Sequence, residues 1–489
     1  MAIVAGVDSS TQSCTVELHD AETGTLLGTG RAPHPPTTPP ASEQPVGAWW
    51  TALRGALGAA VADAGIQAAE IAALSVGAQC HGLVMLDESD QPLRDVKLWN
   101  DTTSAPQSAR MIAELGIPAW VQAVGSDPAA AFTITKLAWV GEHEPHLLPR
   151  LRRVMVPHDY LTYRLTGRHV TDRSDASGTG FYSGPESRWR IDLLRRFVDP
   201  DLDWAVTLPR VLGPDEAAGT LRPEVAVELG LSDAVVVGAG GGDQHLGAAG
   251  LGMRDGEVTY SLGTSGVVLT PSAEPVLDER GDIDGVCNVT GGYLPLVCTL
   301  NCTKVTDTMA RWLDVGHDQL AELALSATAG NAAAVFAPFL DGERSPNRPD
   351  ATGTMAGLTN ATSREDLARA AFEGVLFGLV RGHKRMQECG AAGDGAVIVT
   401  GGGARSPAYR QLLADIVGRE VEVREAPEAT ARGAAVQAAA VLHGVSVAET
   451  RDAWTPPVLS RTVPRPGGGA ARERYDAVAD WLGADALPG

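Results

Sequence analysis

The alternation of apolar and polar positions along the chain predicts short strands joined by turns of small residues. Residues 3–8 and 14–18 form two apolar strands, and the turn between them contains Ser9, Ser10, Thr11 and Gln12. Residues 258–269 repeat this plan around a turn that contains Gly263, Thr264 and Ser265. Turns of this composition leave backbone N–H groups and hydroxyls accessible, as the binding of a phosphate chain requires. The two turns therefore predict two phosphate-binding hairpins.

Helix and strand patterns alternate through the rest of the first half. Apolar spacing over 46–64 predicts an amphipathic helix. Residues 71–76 predict a buried strand, and the segment that follows it contains Gln79, Cys80 and His81. A hairpin-like unit formed by 83–86 and 96–99 ends at Asn100 and Asp101. From 105 to about 229 the pattern predicts mostly helix.

Glycine turns follow two strands of the second half. The first such strand, 235–237, leads through the glycines of 238–242 to Asp243 and its neighbour Gln244. The second, 397–400, leads into a turn and a helix start formed by Gly401, Gly402, Gly403, Ala404 and Ser406. Ser406 is the predicted N-cap, and the proline after it suits the first helical position. A helix over 428–443 follows.

Length and composition predict a folded protein of two domains. The 489 residues exceed the size at which one core keeps growing, so we expect domains over 1–250 and 251–489, with a flexible tail from about 455. A net charge of −21 disfavours nucleic acid and anionic membranes as partners. The six cysteines lack metal or disulfide spacing. Without a signal segment or an 18-residue apolar run, a cytoplasmic protein is expected, and a homodimer stays open.

Asp243 is the first candidate for a catalytic base. It follows three glycines after a strand, and its small neighbours leave its carboxylate accessible to a substrate hydroxyl. The alternative is an N-cap of the next helix.

Asp8 is the candidate magnesium ligand, because it precedes the hydroxyl-rich turn where phosphates would lie. Its alternative role is to cap that turn. The second hairpin has Ser261 and Gly263 near the equivalent place, so only the first hairpin offers a carboxylate.

Two further groups of residues are candidates for ligand contacts. Gln79, Cys80 and His81 are suited to sugar hydroxyls, and their alternative is a core role at a strand end. Gly401 to Gly403 suit the close approach of an anionic ligand at a helix start, although a simple tight turn is also open. Neither a dinucleotide fingerprint nor a P-loop pattern occurs at any of these turns.

Motifs spread over about residues 3–445 carry a family resemblance. The stretch 132–139 and the pair 357–358 with 366–370 are similar to two signatures of the FGGY family of carbohydrate kinases. Further matches lie at 79–82, 98–101, 157–161, 174–179, 339–346 and 401–406. So many ordered matches identify the chain as a member of that family.

The resemblance implies a fold and an activity. The fold would be two actin-like or hexokinase-like (ribonuclease H-like) α/β domains with a cleft between them, the first binding sugar and the second nucleotide. The activity would be ATP-dependent, Mg2+-assisted phosphorylation of D-xylulose, with Asp243 as the base. Gln79, Cys80, His81, Asn100, Asp101 and Gln244 would contact the sugar. A kinase for ribulose or glycerol and an actin-like regulator are the alternatives.

Two positions depart from the family pattern. Cys80 replaces the more usual methionine, and Thr103 stands where many members have an arginine. The loss of a fixed cation at Thr103 could remove a hydroxyl contact or a structural ion pair.

Overall fold

The computed structural model describes residues 2–327, 334–465 and 470–481. Its strands are β1 (Ile3–Ser9), β2 (Ser13–Asp20), β3 (Leu26–Pro33), β4 (Glu43–Gln44), β5 (Ile71–Ala78), β6 (Val84–Leu86), β7 (Val96–Lys97), β8 (Arg153–Met155), β9 (Val170–Asp172), β10 (Tyr182–Ser183), β11 (Arg188–Trp189), β12 (Arg210–Leu212), β13 (Gly219–Thr220), β14 (Val236–Val237), β15 (Gly241–Gly242), β16 (Val258–Leu262), β17 (Gly266–Leu269), β18 (Leu296–Thr299), β19 (Val335–Ala337), β20 (Thr354–Ala356), β21 (Val397–Thr400), β22 (Val421–Arg424) and β23 (Val458–Thr462).

The helices are α1 (Val46–Ala64), α2 (Ala105–Leu115), α3 (Ile117–Val124), α4 (Thr133–His143), α5 (Pro157–Thr166), α6 (Arg173–Ser177), α7 (Ile191–Phe197), α8 (Trp204–Thr207), α9 (Pro223–Leu229), α10 (Asp243–Gly250), α11 (Thr303–Leu313), α12 (His317–Ser326), α13 (Arg364–Glu388), α14 (Pro407–Val417), α15 (Ala429–His443), α16 (Val447–Ala453) and α17 (Ala470–Trp481). Short 3-10 turns occupy Ala68–Glu70, Pro145–Arg150 and Gly402–Arg405.

The chain forms two compact units. The first contains 1–253, 285–293 and 426–456, and the second contains 254–284, 294–425 and 457–489. The sequence predicts a domain boundary at 250. In the structure, residues 426–456 pack in the first unit although they follow that boundary in the chain. The reason is close backbone contact: a Cβ on Gly6 of β1 would lie 1.8 Å from the carbonyl oxygen of Ala431 in α15. Only glycine permits a helix to approach the sheet this closely.

The first unit is built on a mixed seven-stranded sheet. Its order is β13-β14-β5-β1-β2-β3, with β15 as an additional partner of β5. Strand β1 is antiparallel to β2 and parallel to β5, and β15 is also parallel to β5. The ends of β1, β5 and β15 therefore meet at one edge of the sheet, because parallel strands end on the same side.

The second unit contains a six-stranded sheet in the order β18-β17-β16-β21-β22-β23. Strand β16 is antiparallel to β17 and parallel to β21, so the hairpin turn after β16 and the glycine turn after β21 lie at one edge. The long helix α13 packs against this sheet. Ser363 is its N-cap and exchanges hydrogen bonds with Asp366.

Two regions differ from their predictions: the region predicted as mostly helical and the tail predicted as flexible. Residues 105–229 contain six short strands besides their helices. In the tail, Val458–Thr462 is a strand that pairs antiparallel with β22, and Ala470–Trp481 is helical. The rest of that predicted tail, residues 466–469 and 482–489, lies outside the described residues.

Candidate active site

The sheet edge of the first unit brings together the residues predicted at the ends of two strands and a glycine turn. In the β1–β5 register, Asp8 lies opposite Gly77, and in the β15–β5 register Gly242 lies opposite Ala78. Asp8, the segment that begins at Gln79 and Asp243 therefore follow neighbouring strands at the same edge. Their convergence comes from the parallel register and not from closeness in sequence.

Asp243 is the first residue of α10, and Gly242 is the N-cap. The interpretation of Asp243 as the N-cap is therefore wrong. Its Oδ1 accepts the N–H of Gln244 at 2.7 Å and the thiol of Cys80 at 3.6 Å. Burial raises the pKa of Asp243 to about 6, against the lowering effect of these hydrogen bonds. Because this pKa lies below 7, the carboxylate is mostly ionised at neutral pH. The residue is partly exposed and within reach of a ligand.

Asp8 is a carboxylate without a full counter-charge. Its Oδ1 accepts the hydroxyl of Ser10 at 2.7 Å. Burial raises its pKa to about 7, and the negative charges of Asp243 and Glu428 add to that effect. A divalent cation beside this carboxylate would supply the missing positive charge, so the site fits magnesium electrostatically. Across the described part of the chain, no group of three or more His, Cys, Asp or Glu side chains forms a metal site. A magnesium ion held by one carboxylate, water and phosphate oxygens needs no such group.

The hydroxyls and the backbone of the turn after β1 form hydrogen bonds with neighbouring residues. Ser9 Oγ lies 3.1 Å from the ring nitrogen Nε2 of His34. The backbone N–H of His34 donates to the carbonyl oxygen of Gln12 at 2.8 Å. Thr11 Oγ1 donates to Gln79 Oε1 at 3.4 Å and accepts the indole N–H of Trp99 at 2.8 Å. The turn is consequently held in one conformation from several sides.

Gln79 and His81 are positioned by different means. Gln79 is 1% exposed, and its Nε2 is a buried donor without a hydrogen-bond partner among the described residues. His81 has a left-handed φ of 65°, its Nδ1 lies 2.6 Å from the carbonyl oxygen of Gly178, and its ring stacks on Phe132. A non-glycine residue in this conformation is uncommon and is often found at functional sites.

Asn100 and Asp101 have different environments. Asn100 is partly exposed and has a buried Oδ1 with no hydrogen-bond partner in the described ranges. Asp101 is 0% exposed and accepts the N–H groups of Ser42 and Thr103 at 2.9 and 3.0 Å. We therefore assign Asp101 a structural role in holding its loop, because its carboxylate is fully buried and cannot contact a substrate.

Lys97 supplies a buried cation beside Thr103, the position where many family members have an arginine. Its Nζ lies 3.4 Å from Asp101 and 3.0 Å from Glu43, and it donates to Thr103 Oγ1 at 2.8 Å. It also lies 3.9 Å from the ring centre of Trp139. Asp101 therefore has a cationic partner in Lys97 although position 103 is a threonine.

The second unit brings together the hairpin turn and the glycine turn. Gly401 has φ +82°, and a Cβ there would lie 2.7 Å from the carbonyl oxygen of Leu262, the last residue of β16. Gly403 is equally close to the Leu262 side chain. These two contacts place the turn after β21 directly against the turn after β16.

A cavity of about 480 Å³ lies beside the two turns of the second unit. Its lining includes Gly263, Thr264, Gly402, Gly403 and Ser406, all of which the sequence predicts as nucleotide contacts. Ala404 is buried, and its N–H donates to the carbonyl oxygen of Gly401 at 3.1 Å. Ser406 is the observed N-cap of α14, as predicted, and its Oγ has no hydrogen-bond partner in the described chain.

The sequence analysis assigned no role to several residues of these sites. In the first unit they are Trp99, which bonds to Thr11, and Phe132, which stacks on His81. In the second unit the same cavity is also lined by Thr303, Asp307, His317, Asp318 and Tyr409. These come from α11, α12 and α14, and their side chains show no pattern that distinguishes them from ordinary helix surface residues.

The family models divide the chain into the two halves of one kinase family. The N-terminal domain of the FGGY family of carbohydrate kinases matches residues 3–250, and its C-terminal domain matches 258–442. The chain belongs to the FGGY family of carbohydrate kinases, and the resemblance drawn from the sequence is confirmed. Membership in this family implies a sugar and ATP as substrates.

Individual relatives are similar over almost the whole chain. A protein named xylulose kinase from Streptomyces coelicolor is 41% identical over 454 residues, which are 92% of this chain and 90% of that protein. The crystal structure of xylulose kinase from Bifidobacterium adolescentis has a TM-score of 0.88 at 38% identity, covering 98% of this chain and 99% of that one. The structure of gluconate kinase from Lactobacillus acidophilus has a TM-score of 0.90 at 22% identity, over 98% and 97% of the two chains, and supports the fold alone. The predicted two-domain α/β fold is confirmed.

No helix within the described ranges is long and apolar enough to cross a membrane.

Proposed function

We propose that this carbohydrate kinase phosphorylates the terminal hydroxyl of D-xylulose with ATP, giving D-xylulose 5-phosphate. The choice of sugar is supported by the xylulose kinase relatives at up to 41% identity over most of the chain. The reaction type is supported by one observation above all, the position of the partly exposed Asp243 carboxylate at the sheet edge that also carries Asp8.

Asp243 acts as the general base. Gln244 and Cys80 both donate to its Oδ1, so we assign the proton transfer from the sugar hydroxyl to Oδ2. A pKa of about 6 leaves the group ionised at pH 7 and basic enough to accept a proton late in the reaction. In a loose phosphoryl-transfer transition state, the orientation of the hydroxyl by this carboxylate matters more than its basicity.

Asp8 holds Mg2+ through water or directly. When bound, the ion neutralises the charge that develops on the phosphate oxygens. The chain's own contribution is to fix the carboxylate, since Ser10 bonds to its Oδ1 and the β1–β5 register fixes its backbone. The backbone N–H groups and hydroxyls of Ser9, Ser10, Thr11 and Gln12 surround this position.

The second unit binds ATP. Gly263, Thr264 and Ser265 bind phosphate oxygens, and the segment Gly401 to Ser406 lies at the adenosine end of the nucleotide. The cavity of about 480 Å³ beside these turns supports this assignment, because it is within the usual range for small-molecule sites.

Sugar hydroxyls are bound by buried polar groups that lack a protein partner. Gln79 Nε2 is an unsatisfied donor and Asn100 Oδ1 an unsatisfied acceptor, so each gains a hydrogen bond when a hydroxyl is present. Leaving such groups without a partner is costly, which favours a ligand with hydroxyls at both places. Cys80 and His81 complete this part of the site, and Asp101 holds the loop that carries Asn100.

A substrate panel tests the proposal. Purified protein is assayed with Mg-ATP and D-xylulose, ribulose, gluconate or glycerol, and ADP release and sugar phosphate are measured. We expect D-xylulose to have the highest kcat/KM, and a higher value for another substrate would overturn the assignment. Asp243→Ala should abolish sugar-stimulated ATP turnover but retain ATP binding. Full turnover in that variant would refute the base, and the absence of turnover with every sugar in the wild-type protein would favour an ATP-binding regulator.

A further inference from the structure

A buried cluster of charged groups lies beneath the turn that carries Asp243, and the mechanism above does not use it. Its centre is His158, whose Nε2 lies 3.2 Å from Asp159 Oδ1, 3.3 Å from Asp172 Oδ1 and 3.6 Å from Asp175 Oδ2. His158 is 0% exposed, and none of the three carboxylates is more than 3% exposed. Three carboxylates around one buried imidazole are unusual, because buried charges are costly unless they are paired.

Protonation reduces the negative charge around His158 without cancelling it, because burial raises the pKa of Asp159 only to about 6 and this carboxyl is ionised at pH 7. Burial by itself would lower the pKa of His158, but the three aspartates outweigh it and raise that pKa to about 9, so the ring is an imidazolium. Burial likewise opposes ionisation of Asp172, yet the His158 charge and two helix N–H groups hold the pKa of Asp172 below its usual value. Burial raises the pKa of Asp175 well above its usual value, which favours its neutral form. His245 of α10 also faces the cluster and is uncharged, since burial lowers its pKa to about 4.

Two contacts connect the cluster to the turn before Asp243. Ser174 donates its N–H to Asp172 Oδ2 at 2.7 Å, and its Oγ accepts the N–H of Gly242 at 3.4 Å. Gly240 lies against the imidazole itself, since a Cβ on Gly240 would be 2.6 Å from His158 Nδ1. Gly242 is the residue immediately before Asp243, so its position fixes the start of α10.

The same turn is held from its other side by an amide. Gln437 of α15 accepts the N–H of Gly240 at 2.8 Å and donates to its carbonyl oxygen at 3.1 Å. Gln437 also accepts the hydroxyl of Ser75 in β5. The turn from Gly240 to Gly242 is therefore clamped between Gln437 and the His158 cluster. Neither clamp contacts the Asp243 carboxylate through a hydrogen bond of its own.

We propose that the His158 cluster is a positioning element for phosphoryl transfer, which holds the Gly240–Gly242 turn through Ser174 and so fixes the carboxylate of Asp243. This inference rests on the proposed role of Asp243 as the base. A displaced base lowers the rate of the chemical step more than it weakens sugar or ATP binding, because Gln79, Asn100 and the proposed ATP-binding turns lie on other segments. The cluster thus acts through Asp243 and touches no substrate.

The test is a double-mutant cycle between Ser174 and Asp243. Ser174→Ala removes the hydroxyl that accepts the Gly242 N–H and leaves the His158 cluster intact. We expect it to lower kcat about five- to tenfold with little change in either KM, as expected for one buried hydrogen bond. In an Asp243→Asn background, the same change should have no further effect on the residual kcat, because the residue through which it acts is already lost.

His158→Gln should have a larger effect, a loss of about 10²-fold in kcat, because it leaves buried carboxylates without their cation. Asp175→Asn should retain most of the activity, since the amide resembles the neutral acid. The matched control is His19→Gln, another buried histidine beside a carboxylate, 3.0 Å from Glu17, but toward the opposite end of β2 from the turn. It should lower the melting temperature and leave kcat unchanged. If His158→Gln does not fold, the Ser174 cycle still decides the question.

Different outcomes distinguish a failure of the positioning role from a failure of the proposed base. Equal effects of Ser174→Ala in both backgrounds, or an unchanged kcat in the Ser174→Ala single variant, would overturn the positioning role and leave the base intact. Full activity of Asp243→Asn would refute the proposed base itself.

Discussion

The turn after β1 and the turn after β16 share a backbone plan and differ in chemistry. Each joins an antiparallel pair whose first strand also has a parallel neighbour, β5 in one case and β21 in the other. Asp8 and Ser261 occupy equivalent positions, one pair before the last pair of each hairpin. One hairpin thus presents a carboxylate where the other presents a hydroxyl.

The two turns also differ in how their hydroxyls are used. Ser9, Ser10 and Thr11 are hydrogen-bonded to protein side chains, whereas the side chains of Thr264 and Ser265 make no hydrogen bond within the described part of the chain. A turn whose hydroxyls already have partners is fixed before a ligand arrives, and one whose hydroxyls lack partners gains bonds on binding. The first turn is therefore suited to a fixed metal carboxylate and the second to the phosphates of a nucleotide.

Replacing the carboxylate at the first position should have the largest effect. Asp8→Asn keeps the size of the side chain and removes the charge that holds Mg2+. We expect kcat to fall about 10³-fold, which corresponds to the several kcal/mol that a metal ion supplies to the transition state. Steady-state assays over a range of Mg2+ concentrations measure this. Ser261→Ala, the equivalent change in the other hairpin, should have less than a tenth of that effect, and comparable losses would remove the distinction between the two turns.

Crowding the glycine turn of the second unit should weaken ATP binding. Gly401→Ala places a Cβ against the Leu262 carbonyl oxygen in a left-handed conformation. We expect the KM for ATP to rise about tenfold, the equivalent of about 1.4 kcal/mol, with the KM for sugar unchanged. Gly418→Ala is the matched control, since Gly418 is also left-handed but has nothing within 4 Å of its Cβ position. Equal effects of both variants on ATP would mean that backbone strain alone is responsible.

Removing one hydroxyl from each turn should have the smallest and the most selective effects. Thr11→Val loses the bonds to Gln79 and Trp99 and should raise the KM for sugar about three- to fivefold, because Gln79 is then less fixed. Thr264→Val should raise the KM for ATP by a similar factor, also the equivalent of one hydrogen bond. Thr264→Val should leave the KM for sugar unchanged, and Thr11→Val should raise the KM for sugar more than the KM for ATP. Initial-rate kinetics with both substrates varied would show this, and a larger rise in the KM for ATP than in the KM for sugar in both variants would contradict it.

Local patterns predicted single helices and their starts better than they predicted how distant segments pair. The helix over 46–64 and the N-cap Ser406 depend on nearby residues, and the structure has them where they were predicted. The hairpin-like unit of 83–86 with 96–99 was wrong beyond one bridge between Leu83 and Lys97, because β6 pairs with β8 and β7 with β4. Such pairings depend on partners more than 40 residues away, about which local periodicity carries no information.

The placement of α15 and the His158 cluster could not be predicted for a related reason. Helix α15 packs on β1 because Gly6 and Ala431 permit close contact, which is visible only when both are seen together. Asp159, Asp172 and Asp175 are ordinary helix-start residues in the sequence, and only the fold brings all three to one imidazole. Asp243 could be singled out from the sequence because a run of glycines precedes it after a strand, and its role as the base stays a prediction.

The pH dependence of kcat/KM for D-xylulose, at saturating Mg-ATP, tests most directly whether the Asp243 carboxylate is the general base. The bound cation keeps Asp8 ionised under these conditions, so the acid limb reports Asp243. Because the base must be deprotonated, the rate should fall tenfold per pH unit below a pKa of about 6. Cys80→Ala removes a donor to the carboxylate and should move this limb to higher pH. A profile that is flat from pH 5 to 8, or a limb that Cys80→Ala does not move, would contradict the account.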